Sequence, residues 1–370
     1  MYLYKAEQFL DNNLNYLNFT KAMSVAALEA LKSNPNPNPK VGAALFDKNM
    51  KLKNKSHHVE KGKDHAEIDL IKKSNIQDTD YMYVTLEPCF HDDTSPSCAK
   101  ELLKTDIKNI VIGDIDIDPR TNGKSINYLK NNNINVSIED GVNDFLNPYY
   151  KNTNKAKEIT YIGKIGISNN NYIYNNDSDE KYITNQISLD LTHLLRATCD
   201  AILVGKNTFL IDNPKLDIRN PELKNYNNKP LKIIWWGSSV QNITNNKHND
   251  YKFVETTSLT QLEEILLNLG CRTVLVEGGK YVHEKLLTNS KYSLFYEFKS
   301  DFDILNGLNI GDIYKNELPS SFNKIEKITL KDNVLSINKN KFKNIRSPKM
   351  LKPIIFDFIS TCQFQSIWSK

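Results

Sequence analysis

The sequence predicts an α/β protein of two domains, each a sheet sandwiched by helices. Strand-like and helix-like runs alternate from residue 14 to residue 139. A polar Lys/Asn stretch between Asn147 and Glu158 interrupts the pattern, which then resumes at Thr160. At 370 residues the chain also suits about two domains rather than one. Alternation of this kind favours sheets whose faces are covered by helices. The expected division is residues 1–150, residues 158–345, and a tail, 346–370, to which no role is assigned.

Residues 14–32 read as an amphipathic helix. It is stopped by Ser33-Asn34-Pro35-Asn36-Pro37-Asn38-Pro39, because proline lacks an amide hydrogen and clashes with a preceding turn. Residues 41–46 follow as a strand ending in the turn Asp47-Lys48-Asn49. A helix begins at His65, with Ile68, Leu70 and Ile71 as its buried face. Strand 80–86, helix 98–105, strand 107–113, helix 124–131 and strand 136–139 complete the first half. In the second half, strands are expected at 160–167, 201–205, 231–236 and 273–276, and helices at 188–197, 259–269 and 282–287. No internal repeat is present.

Four residues carry the chemistry: His65, Glu67, Cys89 and Cys98. One imidazole and two thiolates suit zinc and leave a fourth tetrahedral position for water. His-x-Glu followed by Pro-Cys is the pattern of zinc deaminases, in which the glutamate stays off the metal and carries protons. The first half of that pattern is Asp64-His65-Ala66-Glu67; the second begins at Pro88-Cys89 but reaches its next cysteine only at Cys98. Zinc lowers the pKa of its water to about 7, and Glu67 would relay the proton to the ring and the departing amine. On one helix, positions i and i+2 diverge by about 200°, so His65 is expected at the first turn, where geometry is looser. Cys98 opens a helix, whose N-terminus favours a thiolate. Two other readings remain open: ordinary buried cysteines, or a structural zinc site with His91 or Asp92 as fourth ligand.

In the second half, a strand runs into Glu277-Gly278-Gly279 and then a helix. Glycines there let backbone N–H groups approach a phosphate, although a tight turn alone would also use them. The full Gly-x-Gly-x-x-Gly fingerprint is absent.

Composition narrows the class. Hydrophobic content of 39% and charged content of 25% describe an ordinary soluble protein. No apolar run approaches the roughly 18 residues of a membrane span, and the first residues lack the apolar core of a signal peptide, so a cytoplasmic location is expected. Five cysteines, at 89, 98, 199, 271 and 362, are odd in number and scattered, which argues against a disulfide framework. A net charge of +4 without a basic stripe excludes a nucleic-acid partner as the first expectation.

Together these segments resemble the bifunctional riboflavin-biosynthesis deaminase–reductases, the RibD family. The first half carries Asn36-Pro37-Asn38-Pro39-Lys40-Val41-Gly42-Ala43, His65-Ala66-Glu67 and Val84-Thr85-Leu86-Glu87-Pro88-Cys89. The second carries Gly163-Lys164-Ile165-Gly166-Ile167-Ser168, Tyr182-Ile183-Thr184, the run 195–205, Thr208, Asp212-Asn213-Pro214-Lys215-Leu216 with Arg219, and Val274-Leu275-Val276-Glu277-Gly278-Gly279. The long spacing to Cys98 is also a family trait. The resemblance implies a cytidine-deaminase-like three-layer sandwich followed by a dihydrofolate-reductase-like α/β domain. It implies hydrolytic deamination of a phosphoribosylated diaminopyrimidine, then NADPH-dependent reduction of its ribosyl group to ribityl. Zn2+ falls to His65, Cys89 and Cys98, proton transfer to Glu67, and the pyrimidine to Asn38. Arg196, Lys215, Arg219 and Glu277 are implied to hold the substrate, the arginines through forked donors that match a phosphate. Lys164, Tyr182, Thr208, Asp212, Gly278 and Gly279 are implied to line the NADPH site. A homo-oligomer acting on a small molecule, without nucleic acid or membrane, is the implied assembly.

The chain departs from the family in places. The loop Cys89-Phe90-His91-Asp92-Asp93-Thr94-Ser95-Pro96-Ser97-Cys98 lacks the usual arginine and gains two carboxylates, which should repel a phosphate. Asn169-Asn170-Asn171-Tyr172 replaces Leu-Asp-Gly-Arg, Glu180 replaces a serine, and Trp236-Gly237 replaces Asp-Ser. The alternatives are therefore a deaminase with a degenerate reductase domain, a nucleic-acid base deaminase, and a zinc-stabilised binding module.

Overall fold

The computed structural model describes residues 14–33, 35, 38–92, 96–147, 150, 158–178, 182–221, 223, 229–238, 250–311, 322–341, 354, 355, 358 and 359. The chain forms two compact units that meet in sequence at Asn147 and Pro148. Ile354, Ile355, Phe358 and Ile359 of the tail are buried and group with the first unit. The remaining tail, Glu180, Asp93 and most of the 147–158 stretch lie outside the described residues.

The first unit runs α1 (Leu14–Ala30), β1 (Gly42–Phe46), β2 (Leu52–His57), α2 (Ala66–Lys73), β3 (Tyr81–Val84), α3 (Cys98–Leu102), β4 (Asn109–Ile112), α4 (Lys124–Asn131), β5 (Asn135–Ile138) and α5 (Asn143–Leu146). Its sheet has the order β2-β1-β3-β4-β5. β1 pairs antiparallel with β2 and β3, whereas β3, β4 and β5 are parallel. Alternate strand residues point to opposite faces. Ala43, Leu45, Met82, Val84, Ile110, Ile112 and Val136 share one core with Leu70 of α2, Leu102 of α3 and Leu129 of α4. On the other face α1 approaches so closely that a Cβ on Gly42 would lie 2.7 Å from the Ala30 N and closer still to Ala26 O. The alanines at 22, 26, 27 and 30 are what permit that approach.

The second unit runs β6 (Thr160–Ile167), β7 (Tyr172–Asn175), α6 (Gln186–Thr198), β8 (Ala201–Gly205), α7 (Lys206–Asp212), β9 (Leu231–Trp235), β10 (Tyr251–Val254), α8 (Leu259–Asn268), β11 (Thr273–Val276), α9 (Lys280–Thr288), β12 (Tyr292–Ser300), β13 (Gly307–Asn309), β14 (Phe322–Leu330) and β15 (Asn333–Asn340). Eight strands form one sheet, β10-β9-β8-β11-β6-β12-β15-β14. The first six run parallel and the last two close the sheet as an antiparallel hairpin. β8, β9 and β10 step outward in one direction, and β11 returns between β8 and β6. That reversal opens a crevice at the carboxyl ends of β8 and β11, where open parallel sheets bind ligands.

Asparagines hold the β6–β7 turn. Asn171 has φ of 69°, the left-handed region that glycine and, less often, asparagine adopt. Asn170 bonds both the N–H and the carbonyl of Ile304, at 3.1 and 2.8 Å. Asn171 thus takes a backbone conformation that glycine adopts most readily. No described helix is long and apolar enough to cross a membrane.

Candidate active site

In the first unit, the extended backbone of His65 (φ −67°, ψ 160°) immediately precedes α2. Because His65 caps the helix rather than lying in it, the 200° divergence does not apply, and both His65 and Glu67 reach one spot. β3 leads into Leu86-Glu87-Pro88-Cys89, and α3 starts at Cys98. His65 Nδ1 lies 3.5 Å from Cys89 Sγ and 3.3 Å from Cys98 Sγ. Their three ligand atoms all fall within 4.8 Å of one another. A zinc ion with bonds of about 2.0 Å to nitrogen and 2.3 Å to sulfur spans similar separations, so the donor set fits. Neither His91 nor Asp92 joins the cluster among the described residues, which removes the fourth protein ligand that a structural site would need.

Glu67 is buried beside this cluster but is not one of its convergent donors. Burial pushes its carboxyl up to about 7, with the charge of His65 the main opposing influence. The two thiols divide one proton: the hydrogen bond from Cys98 and contact with His65 hold Cys89 low, and the neighbouring Cys89 with burial holds Cys98 high. The Cys98 N–H donates to Cys89 Sγ at 3.3 Å. The hydrogen bond with Cys89 raises His65 to about 9.

Sequence reasoning missed two supports. Glu87 accepts from Asp116 N (3.1 Å), Gly123 N (2.9 Å), Ser125 Oγ (2.6 Å) and Ile126 N (3.4 Å), fixing the approach to Cys89. His58 meets the Asp64 carbonyl through Nδ1 at 3.0 Å and the Asn38 amide through Nε2 at 3.1 Å. A carbonyl can only accept, so Nδ1 carries the proton and Nε2 receives the Asn38 N–H. Burial lowers the His58 pKa, and the ring stands edge-on to His65 at 5.0 Å. The signal was the pair His57-His58, at the end of a strand too polar to be read as one. Asp92 pairs with Lys100 at the surface and accepts the Ser97 N–H.

In the second unit, a cleft of about 1690 Å3 takes in Lys164, Tyr182, Arg196, Thr208, Asp212, Lys215, Arg219, Glu277, Gly278 and Gly279. All ten residues expected of a second site therefore line one cavity. Gly279 caps α9, and a Cβ there would stand 3.1 Å from Thr208 Oγ1. Arg196 departs from its expected use. Its fork bonds Glu277 at 2.6 and 2.9 Å, and its Nη1 donates to Asp217 O at 2.6 Å. The bidentate face credited to a phosphate is thus turned to a carboxylate. Burial lowers Lys164, with Glu277 opposing. His193, one turn before Arg196 on α6, was not anticipated; burial and the two arginines push it down to about 4.

The family described as "Cytidine and deoxycytidylate deaminase zinc-binding region" matches residues 18–114. "RibD C-terminal domain" matches residues 162–291. A riboflavin biosynthesis protein RibD of Aquifex aeolicus is 30% identical over 210 residues, 55% of this chain and 57% of that protein. The match thus spans little more than half the length of that relative. A diaminohydroxyphosphoribosylamino-pyrimidine deaminase of Buchnera aphidicola is 32% identical over 120 residues, 32% of this chain and 80% of that protein. A solved Thermotoga maritima deaminase/reductase structure superposes with a TM-score of 0.67 at 25% identity, covering 88% of this chain and 98% of that one.

Proposed function

Since the chain belongs to the RibD family of riboflavin-biosynthesis proteins, we propose that it catalyses two consecutive steps on one small molecule. The first is hydrolytic deamination of 2,5-diamino-6-ribosylamino-4(3H)-pyrimidinone 5′-phosphate. The second is reduction of the ribosyl group to ribityl with NADPH. Residues 1–150 are the deaminase half and 158–345 the reductase half. The enzyme works in the cytoplasm as a homo-oligomer, without nucleic acid or membrane as partner.

One observation carries the deaminase reading: a buried carboxylate, Glu67, stands beside three converging metal donors without joining them. His65, Cys89 and Cys98 would hold zinc. Zinc, when bound, supplies Lewis acidity that makes water nucleophilic near neutral pH. Glu67 would take one proton from the attacking water and give it to the ring nitrogen, then carry the second, from the newly formed hydroxyl, to the leaving amine. Burial near pKa 7 suits a group that must both accept and donate. Asn38, oriented by His58, meets the pyrimidine edge.

In the reductase half, the backbone at Gly278-Gly279 and the start of α9 hold the dinucleotide phosphates, with Thr208 and Asp212 alongside. Lys215 and Arg219 hold the substrate phosphate. Arg196 acts through Glu277, fixing that carboxylate toward the substrate, and Lys164 lines the dinucleotide site.

Purified protein given the diaminopyrimidine substrate and NADPH tests both halves. Ammonia release with NADPH oxidation supports the proposal. Ammonia alone would reduce the chain to a deaminase, and turnover only of single-stranded DNA or RNA would replace the substrate class.

A further inference from the structure

The end of β9 departs from the family pattern and has a neighbour of its own. The β8–β9 register pairs Gly205 with Trp235, so Lys206 and Trp236 leave the sheet side by side. Lys206 Nζ sits 4.9 Å above the Trp236 ring. Trp236 is walled by the edges of Phe209 and Phe253, at centroid distances of 6.3 and 5.6 Å, and both Lys206 and Trp236 line the cleft. An amino group over a fixed indole face is held in place by cation–π attraction. Among the described residues Lys206 has no carboxylate partner, although Asp190, Asp212, Glu277 and Glu284 share the cavity.

Position explains what such a cation could read. In nucleotide-binding parallel sheets the pyrophosphate lies at the glycine turn, and the adenosine ribose is read near the end of an adjacent strand. An acidic side chain there takes the 2′-hydroxyl of NADH, whereas a cation takes the 2′-phosphate of NADPH. Here β8, the strand beside β11 and its glycine turn, ends at Gly205 and is followed directly by Lys206, and β9 beyond it is followed by Trp236-Gly237-Ser238, without a carboxylate. Gly237 has open space where a side chain would start.

We propose that Lys206, seated on Trp236, selects the 2′-phosphorylated dinucleotide in this cleft. The inference rests on the reductase reading and goes beyond it by naming the discriminating residue. The test is binding, followed by calorimetry on the full chain at fixed ionic strength, with NADPH, NADH, 2′,5′-ADP and 5′-AMP. The wild type should favour NADPH over NADH, and 2′,5′-ADP over 5′-AMP, by roughly tenfold or more, the worth of one charge-assisted hydrogen bond. Lys206→Gln should cut that ratio about tenfold while leaving NADH binding unchanged, and Lys206→Arg should restore most of it. Lys252→Gln, which removes an exposed charge on β10, should leave the ratio alone. An unchanged ratio in Lys206→Gln, or an equal fall in Lys252→Gln, overturns the assignment while the reductase reading stands. Failure of every dinucleotide to bind overturns both.

Discussion

Arg196 and Glu277 grip each other through two hydrogen bonds of 2.6 and 2.9 Å, with about a tenth of either side chain exposed. Removing one partner of such a pair leaves an uncompensated buried charge, at a cost of about 3–5 kcal/mol. Glu277→Gln should lower the denaturant midpoint of the second unit accordingly, and the double variant Arg196→Met/Glu277→Leu should recover much of the loss. Equal stability of Glu277→Gln and wild type would show that the pair contributes nothing.

Glu67→Gln keeps the size of the side chain but cannot relay a proton. Ammonia release should fall by about 10²–10⁴-fold, with zinc content per chain unchanged by metal analysis. Activity near the wild-type level would remove Glu67 from the chemistry.

Cys98→Ser should bind zinc far more weakly, because one thiolate of a three-donor set is lost. Ligand binding to the native state alone raises the thermal midpoint. Chelation should therefore lower the midpoint of wild type and leave that of Cys98→Ser nearly unmoved. A chelator-insensitive wild type would contradict a bound metal.

Glu29 gives the fold a pH dependence. Burial alone would raise its carboxyl, but hydrogen bonds from His57 and Lys32, with the Lys55 charge, hold it at about 2 against an ordinary 4.5. A depressed carboxylate stabilises the native state above the unfolded value, and that contribution disappears as pH falls from about 4.5 toward 2. The loss should reach roughly 3 kcal/mol. Urea midpoints should separate wild type from Glu29→Gln most at pH 6, and the gap should narrow, without closing, at pH 3.

Gly42→Ala drives a methyl group into the backbone of α1 at Ala26 and Ala30. Backbone cannot yield as a side chain can, so the loss should be about 1–3 kcal/mol. Thermal unfolding of the variant checks it; an unchanged midpoint would mean that α1 shifts freely.

The strands with continuous apolar runs, such as Ala201–Gly205 and Thr273–Val276, were legible because both faces are buried and periodicity need not be decoded. β2, Leu-Lys-Asn-Lys-Ser-His, was not: it is an edge strand, mostly exposed, and carries no apolar signal. The β14–β15 hairpin escaped for a different reason: its buried apolar residues, such as Ile328, Leu330, Leu335 and Ile337, are interleaved with lysines and asparagines that mask the strand signal. Ile71 was expected in the core but is only partly buried against it. At the site, the metal donors were readable because ligand chemistry demands particular residue types at particular places. The use of Arg196 was not, because a fork that fits phosphate fits carboxylate equally well, and only the fold brings Glu277 opposite it. Likewise the left-handed backbone of Asn171 is not legible from its letter.

The four bonds on Glu87 come from residues 116 to 126, well downstream of every donor of the metal cluster. During synthesis, a nascent chain that has just released Cys98 from the ribosome holds all three donors but not the clamp that steadies one of them. Tight capture of the ion therefore waits until the segment through Ile126 has emerged and folded, and a fragment ending before it should exchange its metal readily.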